Sequence, residues 1–208
     1  MMNEDSLINS WKNSEVFKKQ LDFNLNELES LDTYPEHWKL SLAILEQVKP
    51  SSILDVGCGC GSFYKVCKDN IPTVNYFGCD YSEDAISLAK ETWNSDNFFV
   101  RDATELNEDD AKKYDLLYAS ALMDVSPDGD SMLKHILSLG FDRILFSRVK
   151  MTNEESYYET YNAYEEIETC AYYHNMDNLI DMFSKYGYTY QIISDHIYLK
   201  TLTNDKPI

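Results

Sequence analysis

Residues 53–63, ILDVGCGCGSF, place three glycines and two cysteines directly behind an aliphatic run. Two chemistries are open to such a stretch. Gly57, Gly59 and Gly61 carry no side chain to hold a ligand away from the backbone, so their N–H groups can be offered at the carboxyl edge of a sheet. Cys58 and Cys60 could instead ligate a metal, with Cys67 and Cys79 as further thiolates. Strong zinc signatures pair two C-x₂-C units, which the chain lacks, so the cysteines read as small packing residues and no metal is expected. The spacing also narrows the glycine reading. A dinucleotide fingerprint needs G-x-G-x-x-G, whereas Ser62 stands where the last glycine belongs, which counts against a nicotinamide or flavin. Asp80 closes the next aliphatic run, VNYFGCD, where an acidic side chain at a strand tip can accept both hydroxyls of a ribose. It also fits an ordinary strand end next to Ser82, a candidate helix N-cap. Together the two strand ends support a ribose-bearing ligand.

The elements that must position these residues follow from periodicity. Residues 1–50 read as a helical arm: SEVFKKQLDF and PEHWKLSLAILEQV repeat apolar residues three and four apart, with Pro35 where a first helical turn tolerates it. From Ser51 the runs SILDVG, VNYFGCD, NFFVRD, YDLLYAS and FDRILFSR alternate with helix-like SEDAISLAKETW and GDSMLKHILSLG. That alternation predicts an α/β fold with a parallel sheet covered on both faces. Near the end, NMDNLIDMFSKYGY reads as a helix capped by Asn175 and stopped at Gly187. TYQIIS and HIYLKTL then form an antiparallel hairpin. The expected organisation is one domain: arm 1–50, ligand-binding core 51–148, candidate lid 149–174, and last helix with hairpin 175–203.

Composition excludes some partners. The 208 residues hold 18 Lys and Arg against 36 Asp and Glu, a formal charge of −18, so nucleic acid is repelled rather than attracted. MMNEDSLINS lacks the basic and apolar regions of a signal peptide, and no window approaches the roughly 18 apolar residues of a membrane span. Five cysteines, an odd number, suit free thiols in a reducing compartment, so a cytoplasmic protein away from membranes is expected.

With these motifs in hand, the chain resembles the class I S-adenosylmethionine-dependent methyltransferases. LDVGCGCG, FGCDYS, VRDATEL and YDLLYAS match four of their motifs in order, and the terminal hairpin matches their antiparallel last strand. The resemblance spans about residues 35–202. It implies a Rossmann-like, doubly wound, mostly parallel seven-stranded sheet and S-adenosyl-L-methionine as cofactor. It would place Asp55 near the methionine amino group and the backbone at Gly57 and Gly59 on the methionine and ribose, with Gly61 in the same loop. Asp80 would bind the ribose hydroxyls and Tyr81 would lie against adenine. Asp102, with the Ala103 backbone, would read the adenine amine, though Asp102 also fits a helix cap. Ala119 and Ser120 would face the methionine. Two departures touch the catalytic side: LSLGFDR keeps only Gly140 of the usual Pro-Gly-Gly turn, and LMDVS replaces the usual histidine after the fourth strand.

Methyl transfer is a displacement at an activated carbon, so alignment and water exclusion are the main requirements, with a base helping when the acceptor is a hydroxyl. Of His37, His135, His174 and His196, His174 is best placed for that role, together with Asp124; His135 and His196 read as packed or solvated. Residues 151–173 hold six tyrosines and six glutamates, a composition suited to a sugar or an amine and expected to form an acceptor lid. The alternative is an amphipathic helix, because Tyr157, Tyr161 and Tyr164 recur at helical spacing. The expected activity is O-methylation of a small polar acceptor, a saccharide or other metabolite. An amine and a protein are further acceptor classes. The rival readings are a cofactor-binding regulator without turnover and a nicotinamide-dependent oxidoreductase.

Overall fold

Strands buried on both faces are written as short continuous apolar runs, and the computed structural model, which describes residues 4–164 and 167–202, forms strands at those runs. They are β1 (Ser52–Val56), β2 (Asn75–Asp80), β3 (Phe98–Val100), β4 (Leu116–Ser120) and β5 (Arg143–Ser147). Three further strands follow, β6 (Met151–Thr152), β7 (Tyr157–Ala163) and β8 (Ile167–Asn175), then β9 (Tyr188–Ile193) and β10 (His196–Thr201). The helices are α1 (Glu4–Ile8), α2 (Ser14–Glu27), α3 (Glu36–Val48), α4 (Ser62–Asn70), α5 (Glu83–Trp93), α6 (Glu108–Lys113), α7 (Gly129–Ser138) and α8 (Met176–Lys185).

Seven strands join in the order β3-β2-β1-β4-β5-β10-β9. β1 to β5 pair in parallel, while β10 runs antiparallel to both β5 and β9. This is the expected doubly wound sheet with its C-terminal hairpin. The side-chain period of two divides the core cleanly between the faces. Leu54, Val56, Leu117, Ala119, Ile144 and Phe146 pack on one side with Leu133 and Ile136 of α7 and Leu179 and Phe183 of α8. Ile53, Leu116, Tyr118 and Leu145 pack on the other with Trp38, Leu42 and Leu45 of α3 and Phe63 and Val66 of α4. The strand order reverses between β1 and β4, and a crevice for ligands opens outside the carboxyl ends at such a reversal.

Local signals set the helix ends. Ser82 Oγ accepts the Ala85 N–H at 3.3 Å, and Asn175 Oδ1 accepts the Asn178 N–H at 2.9 Å. α8 stops at Gly187, whose φ of 77° suits a residue without a side chain. Pro35 stands one position earlier than a first helical turn, as the extended N-cap of α3.

The helical alternative for residues 151–173 is not what forms. β7 pairs antiparallel with β8, from Tyr157 opposite Tyr173 to Ala163 opposite Ile167, and β6 adds in parallel on the other side of β8. The misleading signal has a simple cause. Four is a multiple of two, so Tyr157 and Tyr161 share a face in a strand as they would in a helix. Their β-favouring ring and the cross-strand stack of Tyr157 on Tyr173, centroids 4.8 Å apart, decide for the strand.

A polar knot crosses the core beside α3. His196 Nε2 lies 3.0 Å from Ser41 Oγ, 2.9 Å from Ser147 Oγ and 3.0 Å from the His37 carbonyl oxygen, and Nδ1 lies 2.7 Å from Asp195 Oδ1. The Asp-His-Ser order suggests a nucleophile. Ser41, Ser147 and His196 are all fully buried, however, so the knot ties α3 to β5 and β10 and meets no substrate. His196→Ala strips the buried Ser147 hydroxyl of its partner and leaves Ser41 with the Tyr118 hydroxyl alone, and it is expected to cost about 2–4 kcal/mol in urea unfolding. A loss under about 0.5 kcal/mol, the level of an ordinary surface substitution, would show that the knot does not hold these elements together.

Candidate functional site

The glycine loop and Asp80 form one constellation. The N–H groups of Gly57 and Cys58 donate to the Cys79 carbonyl at 2.8 and 3.0 Å, drawing the loop across to β2. Gly59 N–H then donates to Asp80 Oδ2 at 3.0 Å, and Ser82 N–H donates to Oδ1 at 2.9 Å. Burial raises the Asp80 pKa and these backbone bonds oppose the rise. Each carboxylate oxygen keeps a lone pair for a further donor. Gly61 serves packing rather than the ligand: its φ is 73°, and a Cβ there would lie 2.7 Å from the Phe98 ring.

A cavity of about 730 Å³ opens over these strand ends. Of the residues singled out from sequence, Gly57, Gly59, Asp80, Tyr81, Asp102, Ala103 and Ser120 line it. Asp102 is also a cap, its Oδ1 accepting the Thr104 N–H at 2.9 Å. Gly61, Asp55 and Ala119 do not line it. Asp55 is buried behind the glycine loop, where the Tyr76 hydroxyl donates to its carboxylate. Burial pushes Asp55 up to about 7, against the lowering effect of that bond. Ala119 packs in the core.

The candidate bases stand back from the cavity as well. His174 is fully buried, with Nδ1 2.7 Å from Asp130 Oδ1 and Nε2 unpartnered. Asp124 is 4% exposed, its Oδ1 has no partner, and burial pushes its pKa up to about 7. Neither lines the cavity, although Leu122, Val125 and Ser126 beside Asp124 do. His135, expected to be packed or solvated, is at the wall, with Nε2 3.1 Å from the Ala103 carbonyl oxygen.

The roof comes from two parts of the chain that are distant in sequence. The arm supplies Ile8, Trp11, Phe17 and Gln20, and the β7–β8 hairpin supplies Tyr161 to Tyr164. They are fastened to each other: Trp11 Nε1 and Ser10 Oγ each donate to Thr169 Oγ1 at 3.1 Å, and Val16 packs on Ala163 and Ile167. The Tyr81 hydroxyl donates to the Ile8 carbonyl at 3.1 Å, and Lys12 Nζ sits 4.9 Å above the Tyr81 ring. Sequence reasoning missed Trp11, Gln20 and Arg148 as wall residues. For Arg148 a signal existed: a basic residue ends a strand run in a strongly acidic chain. Among the described residues no three His, Cys, Asp or Glu side chains converge on a point that could hold a metal ion, and no helix is long and apolar enough to cross a membrane.

Residues 54–139 match the family model described as a methyltransferase domain. A ribosomal protein L11 methyltransferase of Lactobacillus johnsonii is 34% identical over 119 residues, a match spanning 52% of this chain and 37% of that protein. The chain thus spans well under half the length of this curated relative. Among solved structures, the magnesium protoporphyrin IX methyltransferase of Synechocystis PCC 6803 with bound SAM superposes with a TM-score of 0.64 at 14% identity, covering 97% of this chain and 98% of that one. The human N-acetylserotonin methyltransferase in complex with SAM gives 0.67 at 13% identity, covering 97% and 61%. Sheet order and family match agree: residues 54–139 match a methyltransferase domain, and the sheet has the Rossmann-like fold of the superposed methyltransferases.

Asp124 generates a pH prediction. Its carboxyl holds a proton up to about pH 7 when folded, against an ordinary value of 3.8, so folding takes up a proton between these values. Stability is therefore fully present below pH 4 and falls as pH rises through 7. Asp124→Asn, which cannot ionise, should gain about 2–4 kcal/mol relative to wild type on going from pH 4 to pH 8. Asp55 and Asp80, both raised by burial, give the variant a slope of the same sign, and His37, lowered by burial to about 4, gives one of the opposite sign. Parallel curves from urea unfolding at the two pH values would show that Asp124 does not titrate in this window.

Proposed function

We propose that the protein is an S-adenosylmethionine-dependent methyltransferase that methylates a hydroxyl of a small polar acceptor, a saccharide or other metabolite. The carrying observation is the continuity of the cavity. It runs from the Asp80 carboxylate and Gly59 to Ser120, Arg148, Tyr161 and Tyr164 under one roof. Its volume of about 730 Å³ suits a small-molecule site.

The residues fit the cofactor. Asp80, held by two backbone N–H groups, presents free lone pairs to ribose hydroxyls, Tyr81 and Ala103 flank the adenine end, and Ser120 lies at the methionine end. When bound, the cofactor supplies a methyl group on a positively charged sulfur that leaves as a neutral thioether. The chain's part is alignment and exclusion of water. Tyr161 and Tyr164 offer ring faces to the apolar side of an acceptor, and the arm closes the far side. His174 and Asp124, behind the wall, hold the hairpin and the loop after β4 in place; the Asp124 carbonyl accepts the Tyr172 N–H at 2.8 Å. In this reading the acceptor oxygen gives up its proton to solvent after the methyl group has transferred, as the site opens. The relatives reported above differ in the acceptors their names state, so the acceptor class rests on the cavity alone.

Calorimetric titration with S-adenosylmethionine, S-adenosylhomocysteine and NAD tests the reading. Both sulfur nucleosides should bind and NAD should not; the absence of binding by either nucleoside refutes it. Asp80→Ala should weaken nucleoside binding by about 1–3 kcal/mol. Unchanged affinity would remove Asp80 from the site.

A further inference from the structure

Three non-glycine residues at the cavity wall adopt left-handed backbone: Tyr164 in the hairpin with φ 53° and, at the ends of two core strands, Ala121 after β4 with φ 51° and Arg148 after β5 with φ 61°. Such conformations cost on the order of 1–3 kcal/mol and persist where the surroundings over-determine them. Here neighbouring bonds do so. The Ala121 N–H donates to the Ser147 carbonyl at 2.9 Å, and the Val149 N–H donates to the Asp195 carbonyl at 2.9 Å, fixing the chain on both sides of Arg148. The turn places Arg148 in the wall of the cavity.

The guanidinium is then steadied but not neutralised. Its Nε donates to Ser120 Oγ at 3.0 Å, and Nη2 lies 3.5 Å from the Ser120 carbonyl oxygen. No described carboxylate pairs with it. Arg101, the other arginine in the wall, is by contrast tied to Asp110 at 2.7 Å and to the Glu105 carbonyl at 2.8 Å. Glu27, Asp55 and Asp124 feel the Arg148 charge through space, each held lower than burial alone would leave it. A protein of net charge −18 repels anions at long range, so an anionic group enters this cavity only where a local cation receives it.

We propose that Arg148 is the anion anchor of the cavity, its free Nη edge holding a carboxylate by paired hydrogen bonds beside Ser120, Tyr161 and Tyr164. A planar fork facing two oxygens is the geometry that favours arginine over lysine. This rests on the methyltransferase reading, within which the carboxylate has two sources: the amino-acid end of the cofactor, or an acidic acceptor.

The test compares wild type with Arg148→Gln and Arg148→Lys by calorimetry. S-adenosylhomocysteine is titrated against 5′-methylthioadenosine, which lacks the amino-acid end. Malonate, benzoate and uncharged benzamide are then titrated into protein free of nucleoside and into protein saturated with S-adenosylhomocysteine. If the carboxylate is the cofactor's, Arg148→Gln weakens S-adenosylhomocysteine about tenfold or more and leaves methylthioadenosine unchanged, which also shows that the variant is folded. If it is the acceptor's, both nucleosides bind as before, and malonate or benzoate binding falls about tenfold or more while benzamide is unaffected. Arg148→Lys recovers part of either loss. Equal affinities of wild type and Arg148→Gln for S-adenosylhomocysteine, malonate and benzoate overturn the anchor. Failure of wild type to bind either nucleoside overturns the methyltransferase reading instead, and the nucleoside-free titrations with malonate and benzoate then decide the anchor by themselves.

Discussion

A buried carboxylate is tolerated only when its lone pairs are met, and the two backbone bonds that meet those of Asp80 govern the whole cavity floor. One comes from Gly59 and pulls the loop after β1 towards β2; the other comes from Ser82 and sets the entry to α5. The loop can comply because Gly57, Gly59 and Gly61 all take positive φ. Once it does, Gly61 lies against Phe98 and α4 starts at the next residue, while Trp93 at the end of α5 donates its Nε1–H to the Cys60 carbonyl at 2.7 Å. Three helix ends and two strands are thereby referenced to one side chain. The same bonds leave that side chain oriented at the ligand.

The roof follows a different logic from the floor. The arm and the hairpin pair with no strand of the seven-stranded sheet; they are held by each other, by aromatic contacts and by bonds to the core, such as Asn24 Nδ2 to Ser62 Oγ at 2.9 Å and the Tyr172 N–H to the Asp124 carbonyl at 2.8 Å. Trp11 meets Tyr164 edge-on at 6.3 Å while donating to Thr169, and the Tyr81 ring carries Lys12 above it. A cover built this way shields the cavity from water. That suits a site in which a ligand must enter, be sealed from solvent and leave.

Legibility in the sequence tracked locality. β1 to β5 could be read because each is a self-contained apolar run, and Asp80, Tyr81, Asp102, Ala103 and Ser120 because each ends or follows such a run. Gly61 and Ala119 belong to these motifs, but a motif says nothing about which way a residue faces, and neither lines the cavity. The hairpin at residues 157–175 was ambiguous for a stated reason: spacing by four satisfies either period. His174 and Asp124 drew attention as ionisable groups near the right edge, and burial placed them behind the wall.

What the sequence alone determined was the α/β order of elements, the glycine loop and the acidic strand tip, since these arise from periodicity and from residues close together in the chain. Tertiary structure decided which side chains share the cavity: Trp11 and Gln20 from the arm, Arg148 from the turn after β5, Tyr161 and Tyr164 from the hairpin. No local pattern encodes that meeting. It depends on where the sheet's reversal between β1 and β4 puts its crevice, on left-handed backbone at Arg148 fixed by bonds to Ala121 just after β4 and Asp195 just before β10, and on packing between segments more than a hundred residues apart.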